Sequence, residues 1–238
     1  MPRPMNTASM IPIAANIAKV RLRIQHAAER AGRQPDEIVL LAVSKTRPAT
    51  DIARAYHDSQ QTHFGENYLQ EATAKQAQLV GLPLTWHFIG PVQSNKAAAV
   101  ARQFDWCHCV DRLKVAQRLH DARPPDKPPL NICIQVNIDD EPSKAGLPLV
   151  AVPALVAALA GLDRLAVRGL MAIPAPAQAS VPTTDSFQRI ALCLTALQQQ
   201  FPQLPLDTLS MGMSGDLEQA IAAGSTLVRV GTDIFGHR

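Results

Sequence analysis

Short apolar runs and helix-like stretches alternate along almost the whole chain. The runs cover 38–45 (IVLLAVSK), 62–65 (THFG), 85–90 (TWHFIG), 106–110 (WCHCV), 131–138 (NICIQVNI), 166–173 (AVRGLMAI), 207–213 (DTLSMGM) and 227–231 (LVRVG). Their length and turn-rich flanks read as buried strands. Helical segments are expected between them near 49–59, 67–79, 94–103, 112–122, 148–160, 184–200 and 216–223. Ahead of the first run, Ile13, Ile17, Val20, Ile24 and Ala27 recur at steps of three and four. That spacing makes one face of an opening helix, with Ser9 as its N-cap and an end near Gly32. Strands alternating with helices predict βαβ units and a parallel sheet. Eight such units in 238 residues match a closed barrel, which takes about 250. The expectation is an α/β fold: a single (β/α)8 TIM-type barrel domain over 1–238, with an extra N-terminal helix and residues 1–8 flexible. An open doubly wound sheet is the alternative, but no G-x-G-x-x-G follows the first strand.

Composition narrows the function classes. Apolar residues make up 47% of the chain, enough for one large core, and the formal net charge is only +3. No stretch concentrates Lys or Arg among aromatics, so no nucleic-acid partner is expected. No run reaches the ~20 apolar residues of a membrane span, and the N-terminus lacks a signal-peptide h-region. A soluble, cytoplasmic protein is expected. The four cysteines lie in or beside apolar runs, and Cys107-His108-Cys109 has the wrong spacing for a zinc site. They read as structural thiols in a reducing compartment, and no metal is expected.

In a barrel of this kind, polar groups at the C-terminal ends of the strands are the functional ones. Leu41, Val43 and Lys45 share a face by alternation, so Lys45 is expected to point inward at the rim. Desolvation there favours the neutral amine, the nucleophile that forms an imine with an aldehyde. A rim ion pair with Glu66 is the plain alternative. The seventh strand leads into Ser210-Met211-Gly212-Met213-Ser214-Gly215 and the eighth into Val228-Arg229-Val230-Gly231-Thr232. Loops after strands seven and eight are where barrels often bind phosphate, and small residues let backbone N–H groups approach an anion. Arg229 is expected to point into the barrel below Gly231 and Thr232. An amine, an anion cradle and an inward guanidinium fit pyridoxal 5′-phosphate (PLP), covalent on Lys45, with its phosphate on Ser214, Gly231 and Thr232 and its ring nitrogen facing Arg229. An arginine stays protonated and donates to that nitrogen, which disfavours a pyridinium and weakens the ring as an electron sink.

The stretches LLAVSKT (40–46), FGENYLQE (64–71), WHFIGPVQSNK (86–96), RGLMAIP (168–174), LSMGMSGDLEQAIAAGST (209–226) and VRVGTDIFG (228–236) together resemble the PLP homeostasis protein family, PLP-binding proteins of the alanine racemase N-terminal-domain type. The resemblance implies a cofactor site of Lys45, Asn67, His87, Met213, Ser214, Arg229, Gly231 and Thr232. It implies a carrier that holds and delivers PLP without established turnover, with PLP-dependent apo-enzymes as recipients. A monomer is the default. Ser143-Lys144-Ala145-Gly146 also matches, and makes Lys144 a candidate second amine. The rival from another class is an amino-acid racemase. Racemases of this fold draw a second base, a tyrosine, from a β-domain after the barrel. This sequence ends with its eighth unit, and its two tyrosines, Tyr56 and Tyr68, fall in early helices. A sugar-phosphate aldolase using Lys45 is a third reading.

Overall fold

The computed structural model describes residues 11–139, 141, 144–174 and 183–237. The expected N-cap Ser9, the segment 1–8 and residues 175–182 lie outside these. The eight strands are β1 (Val39–Val43), β2 (His63–Glu66), β3 (Thr85–Phe88), β4 (Trp106–Val110), β5 (Leu130–Val136), β6 (Leu165–Ala172), β7 (Thr208–Ser210) and β8 (Leu227–Val230). They form a closed barrel in chain order, β1 pairing both β2 and β8, and every pair is parallel. The open-sheet alternative is thereby excluded.

Helices fill the connections: α2 (Ala49–Ser59), α3 (Leu69–Gln78), α4 (Ala97–Gln103), α5 (Leu113–Ala122), α6 (Val152–Leu159), α7 (Thr183–Gln200) and α8 (Leu217–Ala222), after the opening α1 (Ile13–Arg30). Side chains alternate along each strand, so each strand contributes to two cores. Phe64, Trp86 and Phe88 face outward to the helices, where Phe88 meets Phe104 edge-on at 5.2 Å. Inside the barrel, an added Cβ on Gly65 would come within 3.1 Å of Ile89 and 3.3 Å of Leu41. That contact marks these three as inward-facing neighbours. The aliphatic stripe of α1 (Ile13, Ile17, Val20, Ile24, Ala27) is buried as its spacing predicts. This helix packs on α2, α8 and a last helix, α9 (Thr232–Phe235).

Two local differences from the sequence reading have physical causes. Strand β7 stops at Ser210 rather than 213, because Gly212 takes φ +94° and turns the chain out of the extended region. The four-residue α9 was not expected, since a single turn is too short to show a hydrophobic period. Its N–H groups at Ile234 and Phe235 donate to the Gly231 carbonyl.

Candidate functional site

The C-terminal ends of the strands surround a cavity of about 270 Å³, lined by Val43, Lys45, Asn67, Ile89, Met171, Ile173, Met213, Ser214, Gly215, Arg229, Gly231 and Thr232. The volume is near the low end of the ~300–1,000 Å³ usual for small-molecule sites. A neighbouring hollow of about 410 Å³ shares Val43, Lys45, Gly231 and Thr232 with it. Seven of the eight residues expected at the site (Lys45, Asn67, Met213, Ser214, Arg229, Gly231 and Thr232) are thus brought together. His87 is not among them.

Lys45 sits two residues past the end of β1, and a buried charge cluster behind the strand holds the backbone on both sides of it. The Ser44 hydroxyl donates to Glu66 Oε1 at 2.5 Å, while Lys75 Nζ donates to the same oxygen and to the Ser44 carbonyl, both at 2.8 Å. On the other side, the Thr46 N–H donates to Glu71, which also pairs with Lys75 at 2.6 Å. Thr46 has φ +65°, an unfavourable conformation for a β-branched residue. The clamp from Glu71 compensates for it. Burial raises the Glu66 carboxyl above its ordinary value, against the lowering effect of the hydrogen bonds from Lys75 and Ser44. The carboxylate suspected of pairing with Lys45 is therefore engaged by Lys75, on the helix side of the sheet.

Asn67 reaches the rim because Gly90 lets it. A Cβ on Gly90 would lie 2.2 Å from the Asn67 carbonyl oxygen, so no other residue fits there. The side-chain Oδ1 of Asn67 is buried and has no hydrogen-bond partner. Across the cavity, the turns after β7 and β8 present Ser214, Gly215, Gly231 and Thr232. Arg23, from α1, ties these turns together. Its guanidinium donates to Glu218 of α8 at 2.7 and 3.0 Å, to Asp233 of α9 at 2.6 Å and to the Ser214 carbonyl at 2.9 Å. Sequence reasoning missed Arg23. An arginine on a solvent-facing helix position carries no signal until the fold places two cavity turns beside it.

Arg229 points inward as expected and is buried. Its guanidinium donates to the Ser210 carbonyl and hydroxyl and, at 2.9 Å, to the Ala172 carbonyl. Every acceptor is neutral. His87 lies lower in the barrel, fully buried, with His63 and His108 each 2.9 Å away and Trp106 stacked on it. It faces inward, opposite Trp86 and Phe88, as alternation requires, but Ile89, one residue past the end of β3, is the one that lines the rim cavity. His87 lines instead a hollow at the opposite end of the barrel. Lys144 pairs with Glu141 at 2.9 Å and approaches Asp139 at 3.8 Å, and it does not line the cavity. Burial pushes the Cys107 thiol up to about 12 and raises Cys109 and Cys133 as well, so these are inert core thiols. Among the described residues, no group of three or more His, Cys, Asp or Glu is placed to hold a metal ion, and no helix is long and apolar enough to cross a membrane.

Fold and rim together define a barrel of the alanine racemase N-terminal-domain class, and the family model "Alanine racemase, N-terminal domain" matches residues 15–238. The pyridoxal phosphate homeostasis protein of Escherichia coli (strain K12) is 53% identical over 232 residues, covering 96% of this chain and 98% of that protein. The protein of the same name from Pseudomonas aeruginosa is 53% identical over 229 residues, covering 96% and 97%. PipY of Synechococcus elongatus, solved with PLP bound, superposes with TM-score 0.82 at 40% identity, covering 94% of this chain and all of that one. An alanine racemase from Clostridium difficile shares the fold at TM-score 0.68 and 12% identity, and this chain covers 56% of it. The chain belongs to the pyridoxal phosphate homeostasis protein family.

Proposed function

We propose that the protein binds PLP in the rim cavity, covalently through Lys45, and serves as an intracellular carrier of it rather than as an enzyme. The observation that carries this is the donor set. A lysine, an orphaned buried amide oxygen on Asn67, and a buried arginine that donates to neutral acceptors face one small cavity. The orphaned Asn67 oxygen is costly as it stands, and the amine, the amide and the guanidinium each find a use on a planar, phosphorylated aldehyde. PLP supplies a carbonyl that condenses with a lysine amine, releasing water. The chain supplies the rest. Ser214, Thr232 and the backbone of Gly215 and Gly231 would grip the phosphate. Arg229 would donate to the ring nitrogen, and Val43, Ile89, Met171 and Met213 would wall the ring. The name shared by the relatives and the PLP bound to PipY support the same reading.

A carrier role without turnover is favoured by what lines the cavity. Among the described lining residues, Lys45 and Arg229 are the ionisable ones. Arg229 cannot act as a base, so the described lining residues offer the ligand no second acid–base group beside Lys45. Neither tyrosine is among the described lining residues: Tyr68 is 54% exposed and Tyr56 packs edge-on to His57. We place the protein in the cytoplasm as a monomer, delivering PLP to apo-enzymes. The test is an absorption spectrum and intact mass of the purified protein, before and after borohydride. One PLP fixed on Lys45 is expected, and Lys45→Ala should lose both the yellow band and the fixed mass while keeping its circular dichroism. A band that survives Lys45→Ala moves the aldehyde elsewhere, with Lys144 the first residue to map. Racemisation of alanine by the wild type would overturn the carrier reading.

A further inference from the structure

The barrel interior holds titratable groups that the rim cavity does not use. His63 on β2, His87 on β3 and His108 on β4 point inward from three adjacent strands. His63 Nδ1 lies 2.9 Å from His87 Nε2, and His87 Nδ1 lies 2.9 Å from His108 Nε2. His108 Nδ1 lies 2.8 Å from the Ser210 hydroxyl, which is 2.8 Å from an Arg229 guanidinium nitrogen. The chain runs unbroken from His63, which lines two hollows at the lower end of the barrel, to the arginine at the rim.

The chemistry of the two ends fixes its direction. A guanidinium has only donors, so Ser210 Oγ accepts from Arg229, leaving its own hydrogen for His108 Nδ1. His108 then accepts on Nδ1 and carries its proton on Nε2, which donates to His87 Nδ1. By the same step His87 donates from Nε2 to His63 Nδ1, and the His63 Nε2–H faces the lower end. In the reverse direction Ser210 Oγ would accept from both Arg229 and His108. Its buried hydrogen would be left without an acceptor among the contacts it makes, which is unfavourable. The forward direction also turns the lone-pair side of every ring toward the Arg229 charge. Burial disfavours an imidazolium at His87 and His108, in agreement with this arrangement.

We propose that Ser210, His108, His87 and His63 are positioning residues for Arg229: a one-way chain of neutral imidazoles, each protonated on Nε2, that fixes the guanidinium without bringing a negative charge to it. A carboxylate in place of Ser210 would hold the arginine equally well but would neutralise it. The histidine chain leaves the whole charge to the ligand. This last consequence rests on the PLP reading, and the chain itself does not.

The experiment separates the two. Long-range ¹⁵N–¹H NMR of the cofactor-free protein at neutral pH should show His63, His87 and His108 all as Nε2–H tautomers. An Nδ1–H tautomer or an imidazolium at His87 or His108 overturns the proposal. In Ser210→Ala the ring shifts of all three histidines should move, not those of His108 alone, and the band of bound PLP should change its maximum. Ser210→Thr, which keeps the hydroxyl, should restore both. An Ala variant with unchanged His87 and His63 shifts and an unchanged band sinks the positioning role. Should Ser210→Ala not fold, the wild-type tautomers decide alone. A wild type that takes up no PLP defeats the carrier reading and leaves the tautomer result standing.

Discussion

At the residue scale, the site is a matter of which polar atoms are left without partners. Arg229 donates only to neutral acceptors, and Asn67 Oδ1 accepts from no donor. In a folded core such groups persist when a ligand completes them. Ser214 sits on the opposite wall, where a phosphate would meet its hydroxyl. Ser214→Asp places a carboxylate against a dianion at a few ångströms. With an effective dielectric near 20, repulsion of order 1–4 kcal/mol follows, a loss of roughly ten-fold or more in PLP affinity. Titration of the apo-protein by absorbance checks this, and unaltered affinity would remove Ser214 from the cradle. Much of this site was legible in the sequence. Lys45, Arg229, Gly231 and Thr232 follow from strand alternation and from the special place of the seventh and eighth loops. His87 illustrates the limit. Alternation turns it inward, but inward positions are stacked in layers, and layer height depends on the stagger between strands. That stagger pairs His87 with Gly65 and Trp106, which no local pattern reports.

At the scale of elements, the opening helix does more than cover the barrel. Its apolar stripe could be read from the sequence, and the partners of Arg23 could not, because they lie about two hundred residues away. Arg23 binds Ser214, Glu218 and Asp233, so one side chain of α1 braces both turns expected to grip the phosphate. The ion pairs are about a third exposed and add little to global stability; their effect is positional. Arg23→Met should therefore weaken PLP by roughly ten-fold, the weight of about 1.4 kcal/mol, and leave the affinity for pyridoxal, which lacks the phosphate, nearly unchanged. Parallel titrations with the two aldehydes make the comparison. Equal losses for both ligands would reduce Arg23 to a fold-wide role, and no loss for either would remove it from the site. The same logic applies behind Lys45, where α3 supplies Lys75 and Glu71 to hold Ser44 and Thr46. In the sequence, Glu66 stands only as an alternative partner for Lys45. It goes to Lys75 because alternation puts Glu66, one step from the inward Gly65, on the helix side of the sheet.

At the scale of the whole molecule, filling a barrel with histidines ties its stability to pH. His87 and His108 are fully buried, and burial lowers both below the ordinary 6.5, His108 to about 3. The unfolded chain takes up a proton on each near pH 6.5, and the native state does not. As pH falls below 6.5 the unfolded state binds more protons, so stability must fall. The slope approaches about 1.4 kcal/mol per pH unit for each histidine until the native value is reached. His63, also lowered by burial, adds in the same direction. Glu66 works against them. Its native value is raised, so its contribution to stability grows as pH falls through that value toward 4.5, and one carboxyl offsets about one histidine there. Urea unfolding between neutral pH and about pH 5 should show stability dropping steeply with acid, by several kcal/mol in all, with no change in the denaturant slope. His108→Gln, which keeps polar atoms in the same layer but cannot titrate, should lose about half of that dependence even if it is less stable at neutral pH. A wild type whose stability is flat over this range would mean that the histidines take up protons in the native barrel. It would then hold imidazolium beside Arg229, and the neutral chain that leaves the guanidinium's charge to a ligand could not exist.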